Sequence, residues 1–363
     1  MPKVILISQV PLPHNKIGSW TTLYKNYLEN NHLIDYVVCE QPENKFERVE
    51  YRFVTNSFLE KIQKRLRKKT YLTYLKTIEK LLETQERYII QIVDNFGIVK
   101  PLVDFLEKKG KRKHCYLQFF YHGFPPFYEN FRSRWFFENI DEMVLLTNDS
   151  YKAHKEYYTV LPTRFSVLHN GIDTAKFYPV SPIEKEVLKK ERNFLNKKIF
   201  LWCSQDRPKK GLHILLDVWK RIYEKRQDII LLVIGCEPRE PINGVEYLGL
   251  IPNDQLPEYY QMADCYLFPT LCHEGFGLSL IEALHCGCYC IASANGGVPE
   301  VLQYGKLGRL IERPNFQEEW ENAILEFLEQ KEMSSYTIPN DLYSMQNWYA
   351  GMNKIINNAK KSF

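Results

Sequence analysis

An α/β protein of two domains, each built around a parallel sheet, is what this sequence predicts. Three observations lead there. At 363 residues the chain exceeds what one hydrophobic core comfortably organises. Short apolar runs alternate with amphipathic helical patterns, as in βαβ units. The alternation also comes in two series, with a polar, proline-flanked stretch between them.

In the first series the strand-like runs are 4–7, 36–39, 88–93, 115–120 and 143–146, each followed by a turn and a helical pattern. Residues 20–28 are one such pattern, leading out of Gly18. The segment 45–87 is irregular, basic and partly helical, which predicts an insertion on the first domain. After His169-Asn170-Gly171-Ile172-Asp173 the runs are 199–203, 229–235, 245–248, 265–268 and 289–293, with a weaker one at 308–311. Helical patterns occupy 211–226, 254–262 and 277–286. Pro179 and Pro182 flank a charged stretch near 180–197 that has the composition of a linker. The domains are accordingly expected at 1–172 and 173–341. The tail from 342 to 363 is an amphipathic helix carrying Trp348, Met352, Ile355 and Ile356 at helical spacing.

Composition excludes several classes. Hydrophobic content of 45% with 25% charged residues belongs to a globular protein, not a disordered one. No apolar stretch approaches the ~18 residues of a membrane span, and the opening run before Pro11 and Pro13 is too short for a signal peptide. A cytoplasmic protein, soluble or peripheral on the inner membrane face, is expected. Nine cysteines, mostly inside apolar runs, point to reduced thiols. His285-Cys286-Gly287-Cys288-Tyr289-Cys290 lacks the paired spacing of structural zinc sites, and strand alternation makes Cys288 and Cys290 small core residues.

The charge is uneven. Residues 1–170 hold 26 Lys/Arg against 19 Asp/Glu, and residues 171–363 hold 22 against 25, so +7 and −3 make up the net +4. Six of the nine residues 61–69 are cationic: Lys61, Lys64, Arg65, Arg67, Lys68 and Lys69. That run is either a solvated helix face or a contact with anionic lipid headgroups, where each cation is worth about 1 kcal/mol. It comes with no nucleic-acid-binding module, so no nucleic-acid partner is expected. The aromatic crowd at 119–137, with Phe119, Phe120, Tyr121, Phe124, Trp135, Phe136 and Phe137 among its members, fits core packing or a membrane- or acceptor-facing surface.

Ligands of open parallel sheets lie at the C-terminal ends of strands, where helix N-termini offer free amides to anions. Two stretches have suitable residues there. In Ser204-Gln205-Asp206-Arg207-Pro208-Lys209-Lys210-Gly211, Lys210 and Arg207 stand between a strand and a helix, as diphosphate-neutralising cations or as a solvated basic loop. In His273-Glu274-Gly275-Phe276-Gly277-Leu278 the glycines permit close backbone approach. Glu274 precedes the helix, and Glu282 lies more than a turn inside it, on the face of Leu278. Carboxylates so placed can reach two hydroxyl-bearing parts of one ligand, or serve as a helix N-terminal charge and a surface residue.

Taken together these stretches resemble family 4 of the retaining glycosyltransferases. Its E-x7-E signature is Glu274 to Glu282, its interdomain turn is His169-Asn170-Gly171-Ile172-Asp173 with Phe177, and its phosphate loop is Lys210-Gly211. Asn295-Gly296-Gly297-Val298-Pro299-Glu300 and Gly305 to Gly308 match its later loops, and the tail around Trp348 resembles the helix that crosses back to the first domain. The resemblance covers about 165–350. It implies the GT-B fold, two Rossmann-like domains facing across a cleft, with the acceptor on the first and a nucleotide-diphosphate sugar on the second. By residue it implies Glu274 at the donor sugar, Glu282 at the ribose, Lys210 at the diphosphate, and the Gly275-Phe276-Gly277-Leu278 segment around them. Where the family carries an Arg, this sequence has Gln205, and Arg207 is the nearest substitute. In the first domain the resemblance implies Gly18 for the glycine-rich loop and His122 for the active-site histidine. Asp94, at a strand end, is a further candidate for acceptor contact.

The sequence contains no Asp-x-Asp motif, so no metal is expected and the leaving-group charge falls to Lys210, Arg207 and helix amides. The resemblance implies retention, with the acceptor hydroxyl attacking on the face the diphosphate leaves. UDP-linked hexose or N-acetylhexosamine is the first expectation for the donor, GDP-linked sugars the next, and a glycan or lipid-linked glycan for the acceptor. The rivals are a sugar-nucleotide 2-epimerase of the same fold and a non-catalytic sugar-nucleotide-binding scaffold.

Overall fold

A computed structural model describes the chain except for residues 15–17, 31, 55–70, 84–85, 127–129, 159–160, 162, 330–337 and 363. The basic run 61–69 lies outside the described residues, as do Phe127 and Tyr128. The chain divides into two compact units, Met1–His169 with Trp348–Phe363, and Asn170–Asn347. Among the described residues no helix is long and apolar enough to cross a membrane.

The first unit contains β1 (Lys3–Ile7), α1 (Ser19–Glu29), β2 (Tyr36–Cys39), β3 (Glu50–Phe53), α2 (Leu72–Glu79), β4 (Tyr88–Val93), α3 (Phe96–Lys108), β5 (Cys115–Tyr121), α4 (Asn130–Asn139), β6 (Glu142–Leu145), α5 (Asn148–Tyr157) and β7 (Arg164–Val167). The strands form one sheet in the order β3-β2-β1-β4-β5-β6-β7, with every pairing parallel. Strand β4 is buried along its whole length, as expected for a strand covered by helices on both faces. Two strands depart from the sequence expectation. Part of the supposed insertion, Glu50–Phe53, pairs with β2 as an edge strand, and Arg164–Val167 forms the opposite edge. Of the aromatic crowd, Phe119, Phe120, Phe136 and Phe137 are buried in the core.

The second unit contains α6 (Pro182–Glu191), β8 (Lys198–Cys203), α7 (Leu212–Lys225), β9 (Ile229–Ile234), β10 (Val245–Gly249), α8 (Leu256–Met262), β11 (Cys265–Phe268), α9 (Leu278–His285), β12 (Tyr289–Ser293), α10 (Val298–Val301), β13 (Arg309–Ile311) and α11 (Gln317–Glu329). Its parallel sheet runs β10-β9-β8-β11-β12-β13. The chain thus moves outward from β8 through β9 to β10, then crosses to the other side of β8 for β11. That reversal makes the C-terminal ends of β8 and β11 the topological switch point, where open α/β sheets hold their ligands.

The stretch expected as a linker is helical. Ser181 and Glu184 form a reciprocal capping box at the start of α6, with Glu184 N–H donating to Ser181 Oγ at 3.2 Å and Ser181 N–H to Glu184 Oε2 at 2.8 Å. Lys185 and Lys189 then reach the buried Asp264 at 3.0 and 3.1 Å. Burial would raise the Asp264 carboxyl, but the two ammonium groups and the Ile199 N–H hold it below its ordinary range. Charge on this helix therefore faces a buried partner as well as water. Cys288 and Cys290 are buried free thiols, consistent with small core residues.

The final helix, α12 (Met345–Lys361), lies from Trp348 onward in the first unit. Trp348, Met352, Ile355, Ile356 and Ala359 are buried. Trp348 meets Tyr24 and Tyr27 of α1 edge-on, with ring centroids 5.7 and 5.6 Å apart.

Candidate functional site

In the second unit the loop after β8 turns through a short helical segment, Pro208–Lys210, into Gly211, which caps α7 in the left-handed region at φ 72°. A β-carbon at Gly211 would stand 1.9 Å from the Pro269 carbonyl oxygen. Only glycine lets this loop lie against the loop after β11. Leu271 N–H donates to Lys209 O at 2.8 Å and ties the two together. Lys210 consequently reaches across, its Nζ 2.5 Å from Glu274 Oε2 and 5.8 Å from the centre of the Phe268 ring.

Glu274 is clamped from its other side. It forms a parallel bridge with Gly296, and Gly297 N–H donates to Glu274 O at 2.8 Å. A β-carbon on Gly296, at φ 71°, would come within 2.3 Å of that same oxygen. Asn295 fastens the clamp by donating from Nδ2 to Thr270 O at 3.1 Å. Beyond Glu274, Gly277 caps α9 with φ 88°, and the first amides of α9 are of the kind that hold anions. Phe276 is buried at 2% exposure, so its backbone and not its ring is available along the loop. Gly275 is buried beside it.

Glu282 sits one turn into α9, one side-chain row above Leu278. Tyr260 of α8 donates its hydroxyl to Glu282 Oε2 at 3.2 Å. The surroundings include Cys203 and Tyr266, whose hydroxyl donates to Cys203 O at 3.0 Å. Burial among these groups pushes the Glu282 carboxyl up to about 7, opposed by the Tyr260 hydrogen bond and the positive charge of Lys176. The same burial pushes the Cys203 thiol to about 12.

The cations of the first loop separate. Lys210 is inside the constellation, whereas Arg207 and Gln205 are exposed. The neighbouring Asp206 is occupied by Arg239, which donates to both carboxylate oxygens at 2.6 and 2.7 Å. Lys210, Glu274, Gly275, Gly277, Leu278 and Glu282 are thus gathered at one switch point. Tyr260, Lys176, Asn295 and the Gly296 clamp belong there too, and the sequence carried no signal for the first two.

The first unit has its own switch point, between β1 and β4. Gly18 precedes α1 there with an extended backbone, φ −154°. Asp94 follows β4 in the left-handed region at φ 50°, and His122 follows the adjacent β5. Asp94 Oδ1 accepts the His122 N–H at 2.8 Å, while Oδ2 stands 3.3 Å from His122 Nδ1. Asp94, expected as an acceptor contact, is thus engaged with His122.

Residues 184–341 match the family described as Glycosyl transferases group 1. Among similar proteins, a GDP-mannose-dependent monoacylated alpha-(1-6)-phosphatidylinositol monomannoside mannosyltransferase of Corynebacterium glutamicum is 26% identical over 45% of this chain and 47% of its own. The gpi3 subunit of the Schizosaccharomyces pombe phosphatidylinositol N-acetylglucosaminyltransferase is 28% identical over 52% of this chain and 41% of its own. The chain thus spans less than half the length of these curated relatives. Of solved structures, sucrose-phosphate synthase from Thermosynechococcus elongatus superposes with a TM-score of 0.74 over 100% of both chains at 16% identity. HepE from Anabaena, in complex with UDP and glucose, does so with 0.71 over 98% of this chain and 100% of its own, also at 16%. At such identities the likeness is one of fold. In a chain with the GT-B fold, the segment 184–341 that carries the Glu274/Glu282 signature thus matches the group 1 glycosyl transferases.

Proposed function

We propose that this chain is a retaining glycosyltransferase that moves a sugar from a nucleotide-diphosphate sugar to a hydroxyl of a glycan or lipid-linked acceptor, without a metal. The observation that carries the reading is the Lys210–Glu274 pair at the β8/β11 switch point, beside the glycine-capped start of α9. Each partner has a complementary target in such a donor. Lys210 and the amides of Gly277 and Leu278 take the diphosphate and stabilise the charge that grows as it leaves. Glu274, its backbone fixed by Gly296, takes sugar hydroxyls, and Glu282 accepts from the ribose. Arg207 is the second cation when the donor draws its exposed side chain inward. The proton of the attacking hydroxyl passes to the departing phosphate, so no strong side-chain nucleophile is needed.

UDP-linked hexose or N-acetylhexosamine remains the proposed donor, and the mannosyltransferase relative makes a GDP-linked sugar its competitor. Relatives named for phosphatidylinositol substrates support a lipid-linked acceptor, with action at a membrane surface. In the first unit His122, held by Asp94, is assigned to the catalytic step, and the Gly18 turn to the donor nucleotide sugar. The test is incubation with a panel of UDP- and GDP-sugars in the presence of EDTA, with and without lipid-linked acceptors, followed by NMR of the sugar products. Transfer with retained anomeric configuration is expected. A new sugar nucleotide formed from donor alone would establish the epimerase instead, and no turnover with tight binding would establish the scaffold.

A further inference from the structure

Both ends of helix α9 touch one short strap, residues 342–344, which precedes α12. At the N-terminal end the ring of Phe276 meets the ring of Tyr343 edge-on, with centroids 5.3 Å apart and planes at 86°. At the C-terminal end His285 Nε2 lies 2.7 Å from Leu342 O. A carbonyl only accepts, so His285 presents Nε2–H to it. The strap is itself held hard. Tyr343 has φ 53°, a left-handed conformation costly for an aromatic residue. Its hydroxyl donates to Val301 O at 3.2 Å, and only 8% of the residue is exposed. Such strain persists where the surroundings over-determine a position, and it clusters at functional sites.

The strap has a second attachment. Ile172 N–H donates to Tyr343 O at 2.8 Å, Met345 N–H donates to Ile172 O at 2.9 Å, and Ile172 bridges Ser344 in parallel. Residues 169–172 and 345–348 are where the chain passes between its two units. The loop that leads into α9 is therefore joined to the pair of crossing segments by the Phe276–Tyr343 ring contact.

From this geometry we infer that Tyr343 is a positioning residue for the donor diphosphate, setting the Gly275-Phe276-Gly277 loop and linking its occupancy to the backbone pairing of Ile172 with Tyr343 and Met345. The inference rests on the donor-site reading above and deepens it. Tyr343 touches no substrate; it acts through Phe276. Replacing its ring removes one contact that orients Phe276 and leaves the amides of Gly277 and Leu278 less well aimed, while Glu282, held by Tyr260, keeps its hold on the ribose.

The experiment measures binding of UDP, GDP and their monophosphates to the full chain and to Tyr343→Leu and Tyr343→Phe. In Tyr343→Leu the preference for diphosphate over monophosphate should fall about five- to tenfold, the worth of a lost aromatic pair. In Tyr343→Phe, which keeps the ring, the preference should be restored. Equal weakening of both nucleotides, or an unchanged preference in Tyr343→Leu, overturns the inference. Hydrogen exchange on the unmodified chain gives a reading free of folding defects. Diphosphate should slow the amides of Leu278, Ile172 and Met345 together, and protection at Leu278 alone overturns the linkage. Failure of the unmodified chain to bind either diphosphate would instead sink the donor-site reading, and this inference with it.

Discussion

Glu282→Gln should stabilise the donor-free protein at alkaline pH while destroying its hold on nucleotide. Burial raises the Glu282 carboxyl from an ordinary 4.5 to about 7. In the unfolded chain the same group ionises near 4.5, so between the two values only the unfolded state loses its proton. Stability therefore falls as pH rises through that window and stays reduced above it. The whole shift corresponds to about 3 kcal/mol, and since the side chain keeps partial solvent access, about half of that is expected. Glutamine is isosteric, still accepts from the Tyr260 hydroxyl, and carries no charge to desolvate. At pH 8 the variant should melt higher by roughly 3–6 °C, at 2–4 °C per kcal/mol for a unit of this size. At pH 5 most of that gain should vanish, because the wild-type carboxyl is then protonated in the fold. Thermal unfolding across pH 5–8, with calorimetric titration of UDP and GDP, reads both effects. A gain of equal size at both pH values, or none at pH 8, would refute the claim that a strained carboxylate is kept there for ligand.

Three further outcomes follow from contacts described above. Lys210→Ala should lower kcat about a hundredfold to a thousandfold, as loss of a charge-stabilising group does, with nucleotide affinity also reduced in steady-state kinetics. Gly296→Ala places a β-carbon 2.3 Å from Glu274 O, so it should cost about 2 kcal/mol in denaturant unfolding and raise the KM for donor. Ser181→Ala removes the capping box of α6, lowering stability by about 1 kcal/mol and leaving transfer rates unchanged.

What the sequence disclosed, and what it hid, follows burial and distance along the chain. Strands covered on both faces stood out as unbroken apolar runs, as in Tyr88–Val93. The edge strands Glu50–Phe53 and Arg164–Val167 mix charge with aromatics because their exposed sides need no apolar cover, and so they passed for irregular chain. The helix Pro182–Glu191 passed for a linker because its lysines seemed wholly solvent-directed, whereas two of them answer a buried aspartate 75 or more residues away. Its Ser181/Glu184 capping box has the sequence spacing of a helix start, a signal the linker reading left out. Within the site, spacing alone put Glu274 and Glu282 on opposite sides of a helix start, since one local element positions both. The Lys210–Glu274 contact bridges 64 residues and the Tyr260–Glu282 bond 22. Contacts of that kind depend on which strands become neighbours, and residue spacing does not encode that. Gly211 and Gly296 mattered for the same reason, each being a glycine because a distant backbone approaches it.

The central claim is that a nucleotide diphosphate occupies the ends of β8 and β11. A crystal structure of the protein soaked with its preferred nucleoside diphosphate tests this most directly. Lys210 Nζ and the Gly277 and Leu278 amides are expected on the phosphates, with both ribose hydroxyls on Glu282. A nucleotide bound elsewhere, with Lys210 still closed on Glu274, would contradict it.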